Sequence, residues 1–159
     1  MNDLTSFPDG TVVSLLNRED KYRAIHELIL KTAGSNGVQD SFEFERAVVE
    51  REKLLSTGLG HGVALAHGKT GAVDRLCIAL GFSSEGIDFD SPDGEPVHFL
   101  FVIGNPPEAL DEYLEAIGAI ARFMREPTFR DRLINTHSEH ELEVLLNRAF
   151  DYEVHHHAS

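Results

Sequence analysis

The chain has 159 residues, which is enough for one domain with a substantial core and leaves no room for a second domain. Its 14 Lys and Arg residues face 27 Asp and Glu residues, and the resulting formal net charge of −13 makes nucleic acid a poor partner. Cys77 is the single cysteine, and we find neither a leader segment nor an apolar run of about 20 residues, so we expect a cytoplasmic protein without disulfides or membrane insertion.

The first part of the chain predicts an arm followed by two helices. Residues 1–10 lack periodicity and end in a turn, so we expect a strand-like or irregular arm. Asn17 is the predicted N-cap of a first amphipathic helix. Asp40, with Glu43 three residues later, predicts the start of a second helix. Arg51 lies near the end of that helix, where a cation is also favourable to the helix dipole.

A passage of glycines and histidines follows, from residue 54 to residue 69, with the sequence LLSTGLGHGVALAHGK. Its central GVALA is short, apolar and compatible with a strand that ends at His67, with Gly68 behind it. A histidine at a strand end, with backbone N–H groups nearby, is a plausible nucleophile, although a loop residue is the ordinary alternative.

The second half of the chain predicts strands and then helices. We expect a buried strand over 76–82, a short piece at 87–89, a turn at 91–94 and a strand over 97–103. A long helix begins near Asn105, with Leu110, Leu114, Ile117, Ala121 and Met124 as its apolar stripe. A short helix over 127–135 and a final helix that starts at a Ser138 and Glu141 capping box complete the pattern.

Helices at both ends of the chain and strands in the middle predict an α/β fold, a three-layer sandwich with a central mixed β-sheet and helices on both faces. We assign residues 1–153 to this single domain. The histidine-rich segment 154–159 is expected to be a disordered tail or an added tag. His137 and His140 suggest a metal site only weakly, because no third ligand is in view, so we expect no metal.

The motif from Arg51-Glu52 through Ser56-Thr57-Gly58 to His67-Gly68-Lys69 resembles the signature of the fructose/mannitol-type EIIA proteins of the bacterial sugar phosphotransferase system. That family includes the nitrogen-regulatory EIIA, which the single-domain chain favours. The resemblance implies an α/β fold, a phosphohistidine intermediate, no cofactor and an HPr-like phosphocarrier as donor. A sugar-specific EIIB protein or a regulated protein is the implied downstream partner.

Residue by residue, His67 corresponds to the phosphorylated histidine and Arg51 to the arginine beside it. Thr57 and the glycines fall where the family builds the turn around that site, and we expect backbone N–H groups around Thr57, Gly68 and Lys69 to form a small anion nest that binds phosphate. Two positions depart from the family pattern: Tyr113 stands where a second histidine is usual, and Ala66 stands where proline is common. Because tyrosine only donates its O–H at neutral pH, a second hypothesis is a regulatory binding module with this fold in which phosphorylation is weak or absent.

Overall fold

The computed structural model of the chain describes residues 11–17, 20–33, 37–136 and 138–157, so the arm predicted for residues 1–10 lies outside it. The described residues contain five strands and five α-helices. In chain order these are β1 (Val12–Leu15), α1 (Lys21–Thr32), α2 (Ser41–Leu54), β2 (Gly58–Gly60), β3 (Val63–Lys69), β4 (Cys77–Ile87), β5 (Val97–Asn105), α3 (Leu110–Met124), α4 (Pro127–Ile134) and α5 (Glu139–His157), with a 3₁₀ turn (Pro107–Ala109) before α3.

The strands form one mixed sheet in the order β1-β4-β5-β3-β2. β1 pairs in parallel with β4 and β3 in parallel with β5, whereas β4–β5 and β2–β3 are antiparallel. β3 therefore lies between the long strand β5 and the three-residue edge strand β2. This arrangement confirms the predicted mixed sheet and places His67 beside Ile103 of β5.

Two hydrophobic clusters cover the two faces of the sheet and confirm the three-layer sandwich. Alternation along β3 assigns Val63 and Leu65 to the cluster that contains α3 and α5. Ala64 and Ala66 belong to the cluster that contains α1 and α2. Continuing this alternation places His67 on the α3 face of the sheet and the next residue on the α2 face.

The helix starts agree with the sequence at two of three predicted caps. Asp40 accepts the backbone N–H of Glu43 at 3.1 Å, as predicted for α2. Ser138 accepts the backbone N–H of Glu141 at 3.1 Å, as predicted for α5. The prediction for α1 was wrong, since Asp20 rather than Asn17 is its N-cap and accepts two backbone N–H groups. The capping side chain must directly precede the first helical residue, and α1 begins only at residue 21.

The buried face of α3 differs from the predicted stripe. Leu110 and Leu114 are 54% and 57% exposed, although Met124 is buried as expected. The residues that α3 buries are Ala116, Ala119, Ile120, Phe123 and Met124. The sequence offers two apolar stripes on this helix, and the one that contacts the sheet leaves Leu110 and Leu114 in solvent near the start of α3.

The last helix extends beyond the predicted domain boundary. α5 continues to His157, within the segment 154–159 that the sequence analysis assigned to a disordered tail or an added tag. Leu142, Leu146, Phe150 and Val154 follow one another at intervals of four residues, and all of them are buried in the α3 and α5 cluster. This spacing continues the buried stripe of the helix past residue 153, and Val154 is 8% exposed.

Cys77 packs at the start of β4, in the cluster on the α1 and α2 face, and so lies in the buried strand predicted over 76–82. Burial raises the pKa of its thiol to about 11, so the thiol stays protonated at neutral pH. Within the described residues, no helix has both the length and the apolar character needed to span a membrane.

Candidate active site

His67 is half-buried near the end of β3, and its ring is held in one tautomer by the strand itself. The ring Nδ1 lies 2.9 Å from the backbone carbonyl oxygen of Leu65. A carbonyl oxygen only accepts, so Nδ1 carries the hydrogen of the neutral ring and donates it. The lone pair of that ring is therefore on Nε2, which makes Nε2 the nucleophilic atom.

An open depression lies where the end of β3 meets the last turns of α2. His67, Gly68 and Lys69 line it from the strand, and Arg51 and Lys53 are among the α2 residues that line it from the helix. Three cations and one carboxylate, from Glu50, face this depression. In a chain whose net charge is −13, this is a locally positive site that favours a phosphoryl group.

Arg51 is held at the end of α2 by its own backbone. Its Nη1 donates to the carbonyl oxygen of Leu55 at 2.7 Å, one turn further along the chain. A carbonyl at a helix end has no intrahelical partner, so this bond both completes the helix end and fixes the guanidinium. Arg51 and His67 line the same depression.

Tyr113 approaches His67 from α3. The two ring centroids are 5.9 Å apart, and the ring planes are tilted by 51°. Burial raises the pKa of the Tyr113 hydroxyl, and the positive charge of Arg51 lowers it in part. The hydroxyl is thus protonated at neutral pH and serves as a hydrogen-bond donor. The histidine, the arginine and the tyrosine are therefore neighbours.

Thr57 makes different contacts from those expected of a phosphate ligand. Its backbone N–H donates to Oε2 of Glu52 at 3.0 Å, and its hydroxyl donates to the other carboxylate oxygen. Lys21 binds Glu52 as well, with its Nζ 3.2 Å from Oε2. Both donors of Thr57 are thus used to fasten the chain before β2 to α2. From there, the carbonyl of Thr57 accepts the backbone N–H of Leu65 in β3 at 3.1 Å.

The roles of Glu52 and Lys21 were missed by sequence reasoning. A signal was present in α2, where Phe44, Val48 and Glu52 follow one another at intervals of four residues and all three are buried. A carboxylate that continues an apolar stripe must be paired, because an isolated buried charge is costly. The carboxylate of Glu52 is fully buried, and the ammonium of Lys21 pairs with it.

Gly68 allows β3 to approach α2 closely. A Cβ at this position would lie 2.9 Å from the backbone nitrogen of Val48 and 3.0 Å from Cβ of Ala47. Real Cβ atoms rarely come so close, so any side chain here would push the helix away from the strand. Gly68 thus keeps Arg51 near His67, while Lys69 is exposed at the rim.

The family model "Phosphoenolpyruvate-dependent sugar phosphotransferase system, EIIA 2" matches residues 6–149. The chain belongs to this EIIA family. The match covers all residues of the candidate site, and it includes the described helices and strands up to residue 149 of α5.

Relatives within the EIIA family include both regulatory and transport proteins. The chain is 40% identical over 130 residues to a nitrogen regulatory protein of Pseudomonas aeruginosa, covering 82% of this chain and 79% of that protein. It is 29% identical over 138 residues to the fructose-specific EIIABC component of Bacillus subtilis. That match covers 87% of this chain but only 22% of the longer protein.

Solved structures of EIIA proteins have the same fold. The crystal structure of the nitrogen regulatory protein IIA-Ntr from Neisseria meningitidis matches with a TM-score of 0.76 and 30% identity, covering 87% of this chain and 94% of that one. The complex of IIAMTL with phosphorylated IIBMTL from Escherichia coli matches with a TM-score of 0.68 and 23% identity, covering 84% and 92%. The latter match shows the fold alone.

The other described histidines of this EIIA protein lie outside the depression. His61 is exposed in a turn with a positive φ of 57°, and its backbone N–H donates to Asp93 at 3.0 Å. The Nδ1 atom of His98 donates to the Ser83 carbonyl at 2.7 Å. His26 lies 2.6 Å from a carboxylate oxygen of Glu45. None of these rings is placed to receive a group that arrives at the depression.

The remaining histidines include His137 and His140, the pair that weakly suggested a metal site in the sequence. His137 lies outside the described residues, whereas His140 is described and lies in the first turn of α5. Across the described ranges, no group of three or more His, Cys, Asp or Glu side chains is arranged to hold a metal ion.

Proposed function

We propose that this EIIA protein is a phosphohistidine carrier, in which Nε2 of His67 accepts a phosphoryl group from a phosphorylated HPr-like protein. The observation that carries the proposal is the bond from Nδ1 to the Leu65 carbonyl, because it leaves the lone pair on the other nitrogen. Arg51 and Tyr113 supply a charged and a neutral donor beside that ring.

The reaction is a direct transfer between two nitrogen atoms. The lone pair on Nε2 of His67 forms a bond to phosphorus while the P–N bond of the donor phosphohistidine breaks, and the donor imidazole keeps that electron pair. The His67 ring becomes a phosphoimidazolium that still carries its hydrogen on Nδ1. The Leu65 carbonyl accepts this hydrogen and so stabilises the positive charge that develops on the ring.

The surrounding side chains stabilise the phosphoryl oxygens. Phosphoryl transfer passes through a loose transition state, so positioning and charge neutralisation carry most of the catalysis. The planar guanidinium of Arg51 offers two parallel N–H donors, and Lys53 and Lys69 add positive charge at the rim. The open depression also suits a donor that is itself a folded protein, because its phosphohistidine must reach the Nε2 atom of His67.

The nitrogen-regulatory type is favoured over a sugar-transport subunit. The 40% identity to a nitrogen regulatory protein supports this choice. The phosphoryl group then acts as a signal that alters binding to a regulated protein. Transfer onward to an EIIB-type partner is the other outcome, since a relative of this fold was solved in complex with phosphorylated IIBMTL.

The proposal is tested by phosphorylation with defined components. We would incubate the protein with phosphoenolpyruvate, enzyme I and HPr of the nitrogen branch and record its intact mass. We expect one acid-labile phosphoryl group in the wild type and in His61→Ala, whose histidine lies in the same glycine-rich passage. We expect none in His67→Ala. A phosphoryl group that persists in His67→Ala would refute the assignment.

A second candidate is a regulatory binding module that acts independently of phosphorylation. Tyr113 in place of the usual histidine favours it, as do four exposed leucine side chains at the end of α2 and in the first turns of α3, namely Leu54, Leu55, Leu110 and Leu114. Binding assays with the phosphorylated and unphosphorylated protein separate the two candidates, because equal partner binding in both states removes phosphorylation as the switch. If Tyr113 limits the transfer, Tyr113→His will accelerate it.

A further inference from the structure

A cavity of about 400 Å³ lies between the C-terminal end of α3, the short helix α4 and the middle of α5. Its wall contains Arg122, Arg125, Arg132 and Arg148, and we call it the arginine pocket. Small-molecule sites in proteins begin at about this volume. The pocket is remote from the depression, since Arg122 follows Tyr113 in α3 by about 13 Å along the helix axis.

The arginine pocket is lined by more cations than anions, whereas the whole chain is negatively charged. The chain has 14 cationic side chains and a net charge of −13, yet four arginines and only two glutamates line this cavity. Arg122 is neutralised by Glu153, with Nε 2.7 Å from the carboxylate oxygen. Within the described part of the chain, Arg125, Arg132 and Arg148 make no ion pair. Three exposed guanidiniums thus line the cavity with Glu126 as the one further carboxylate of its wall, and a bound anion would reduce the excess of positive charge.

Aromatic side chains also line the pocket. Phe123 and Phe129 pack edge to face, with ring centroids 5.5 Å apart, and form part of its lining. Tyr152 lies at the same cavity and is 59% exposed. Aromatic faces and arginine planes both stack on a planar ring. A ligand that uses all of these groups is therefore an anion with an aromatic ring.

We propose that the arginine pocket binds a nucleoside phosphate. The guanidinium fork matches phosphate oxygens, and the three guanidiniums that make no ion pair among the described residues fit a group with at least two negative charges better than a single carboxylate. The base would stack beside Tyr152 and Phe129. Tyr152 and Glu153 lie after residue 149, where the family match ends, so part of the pocket is formed by a region that the family model does not match.

The test is a titration of the full chain, followed by amide and arginine side-chain NMR signals. The probes are ADP, adenosine and inorganic phosphate. We expect saturable shifts with ADP at residues of α3, α4 and α5, and affinities for adenosine and for inorganic phosphate that are each at least about tenfold weaker. Absence of saturation up to about 10 mM ADP, or equal affinity for inorganic phosphate, would overturn the proposal.

Matched variants assign the binding to the pocket. The double substitution Arg132→Gln and Arg148→Gln should weaken ADP binding at least tenfold, or about 1.4 kcal/mol. Arg23→Gln is the control, because Arg23 is an exposed arginine on α1, across the sheet from the pocket, and its affinity should stay within about twofold. Equal losses in both variants would contradict the assignment.

A measurement on the wild type keeps the test independent of the variants. Raising the salt concentration from about 50 to 500 mM should weaken ADP binding severalfold, because exposed guanidiniums are screened by ions. An affinity that does not change with salt would exclude the arginines as the phosphate ligands. None of these outcomes depends on phosphorylation of His67, so the failure of either proposal leaves the other standing.

Discussion

Replacing Glu52 with alanine removes the carboxylate that joins α2 to the chain before β2. In the native protein, Glu52 accepts the ammonium of Lys21 at 3.2 Å and the backbone N–H of Thr57 at 3.0 Å. Alanine leaves Lys21, whose side chain is 10% exposed, with Asp90 at 3.4 Å as its remaining carboxylate partner. It also removes the acceptor for both donors of Thr57.

Two physical terms set the size of the effect. Removing one partner of a buried ion pair costs about 3–5 kcal/mol, because the other charge remains in the interior. An unpaired buried donor costs about 1–3 kcal/mol, but these terms overlap and Asp90 retains part of the attraction to Lys21. We therefore expect Glu52→Ala to lower the free energy of unfolding by about 3–4 kcal/mol. Glu52→Gln keeps an acceptor oxygen, so we expect it to lower the free energy of unfolding by only about 1–2 kcal/mol.

Urea unfolding at pH 7 measures both variants, and we expect the midpoint to fall while the slope stays unchanged. The control is Glu52→Leu combined with Lys21→Met, which removes both charges and fills the space with apolar atoms. This double variant should be less destabilised than Glu52→Ala. If Glu52→Ala lowers the free energy of unfolding by less than about 1 kcal/mol, the reasoning is refuted, because an exposed ion pair contributes no more than that.

The same pair predicts the direction of the pH dependence. Burial acts to lower the pKa of Lys21, but hydrogen bonds and charges from Glu52 and Asp90 outweigh it and raise that pKa. A raised pKa in the folded state means that the stabilisation is complete below the ordinary lysine value of about 10.4. It is lost as the pH rises through the folded value. Wild-type stability should thus fall more steeply in this alkaline range than that of the double variant.

Two further predictions concern the site itself. Arg51→Gln should slow phosphorylation of His67 by roughly tenfold to hundredfold in initial-rate assays, with Arg51→Lys recovering only part of the rate; an unchanged rate for Arg51→Gln would exclude the guanidinium from the reaction. Gly68→Ala should destabilise the fold by about 1–3 kcal/mol in thermal unfolding, because its Cβ would meet the Val48 nitrogen at 2.9 Å. Gly71→Ala is its control, since no atom lies within 4 Å of the added Cβ, and equal destabilisation by both would contradict the close approach.

Features that depend on nearby residues could be predicted from the sequence. The caps at Asp40 and Ser138 need only a side chain and a backbone N–H three residues apart. The strand that ends near His67 could be predicted from a short apolar run between glycines. The arrangement of helix layers on both faces of a sheet could be predicted from the order of helices and strands along the chain. The fold class and the second and fifth helix starts were therefore accessible.

Features that depend on the tertiary arrangement could not be predicted. β2 has three residues and β1 has four, so neither is long enough to show a periodicity. Both form because a neighbouring strand supplies the partners for their backbone hydrogen bonds. The amphipathic pattern of α3 contains two apolar stripes, and only packing on the sheet selects between Leu114 and Ile120. The carboxylate of Glu52 has its lysine partner 31 residues away in the chain.

The site shows both kinds of feature. Its motif identified His67 and Arg51, because the family places them at a fixed spacing. The hydrogen bond from Nδ1 to the Leu65 carbonyl required coordinates, since it depends on the rotamer of the ring. Thr57 was expected to bind phosphate, whereas its donors are both used by Glu52. Sequence motifs thus indicate which residues meet, and the structure shows which atoms remain available.

The most direct test of the account is to find which ring nitrogen carries the phosphoryl group. The protein would be labelled with ¹⁵N, phosphorylated by its HPr-type donor and examined by long-range ¹H–¹⁵N correlation of the histidine rings. We predict phosphorus on Nε2 of His67, with Nδ1 still protonated and bonded to the Leu65 carbonyl. Phosphorus on Nδ1 of His67, or on any other residue, would contradict the central claim.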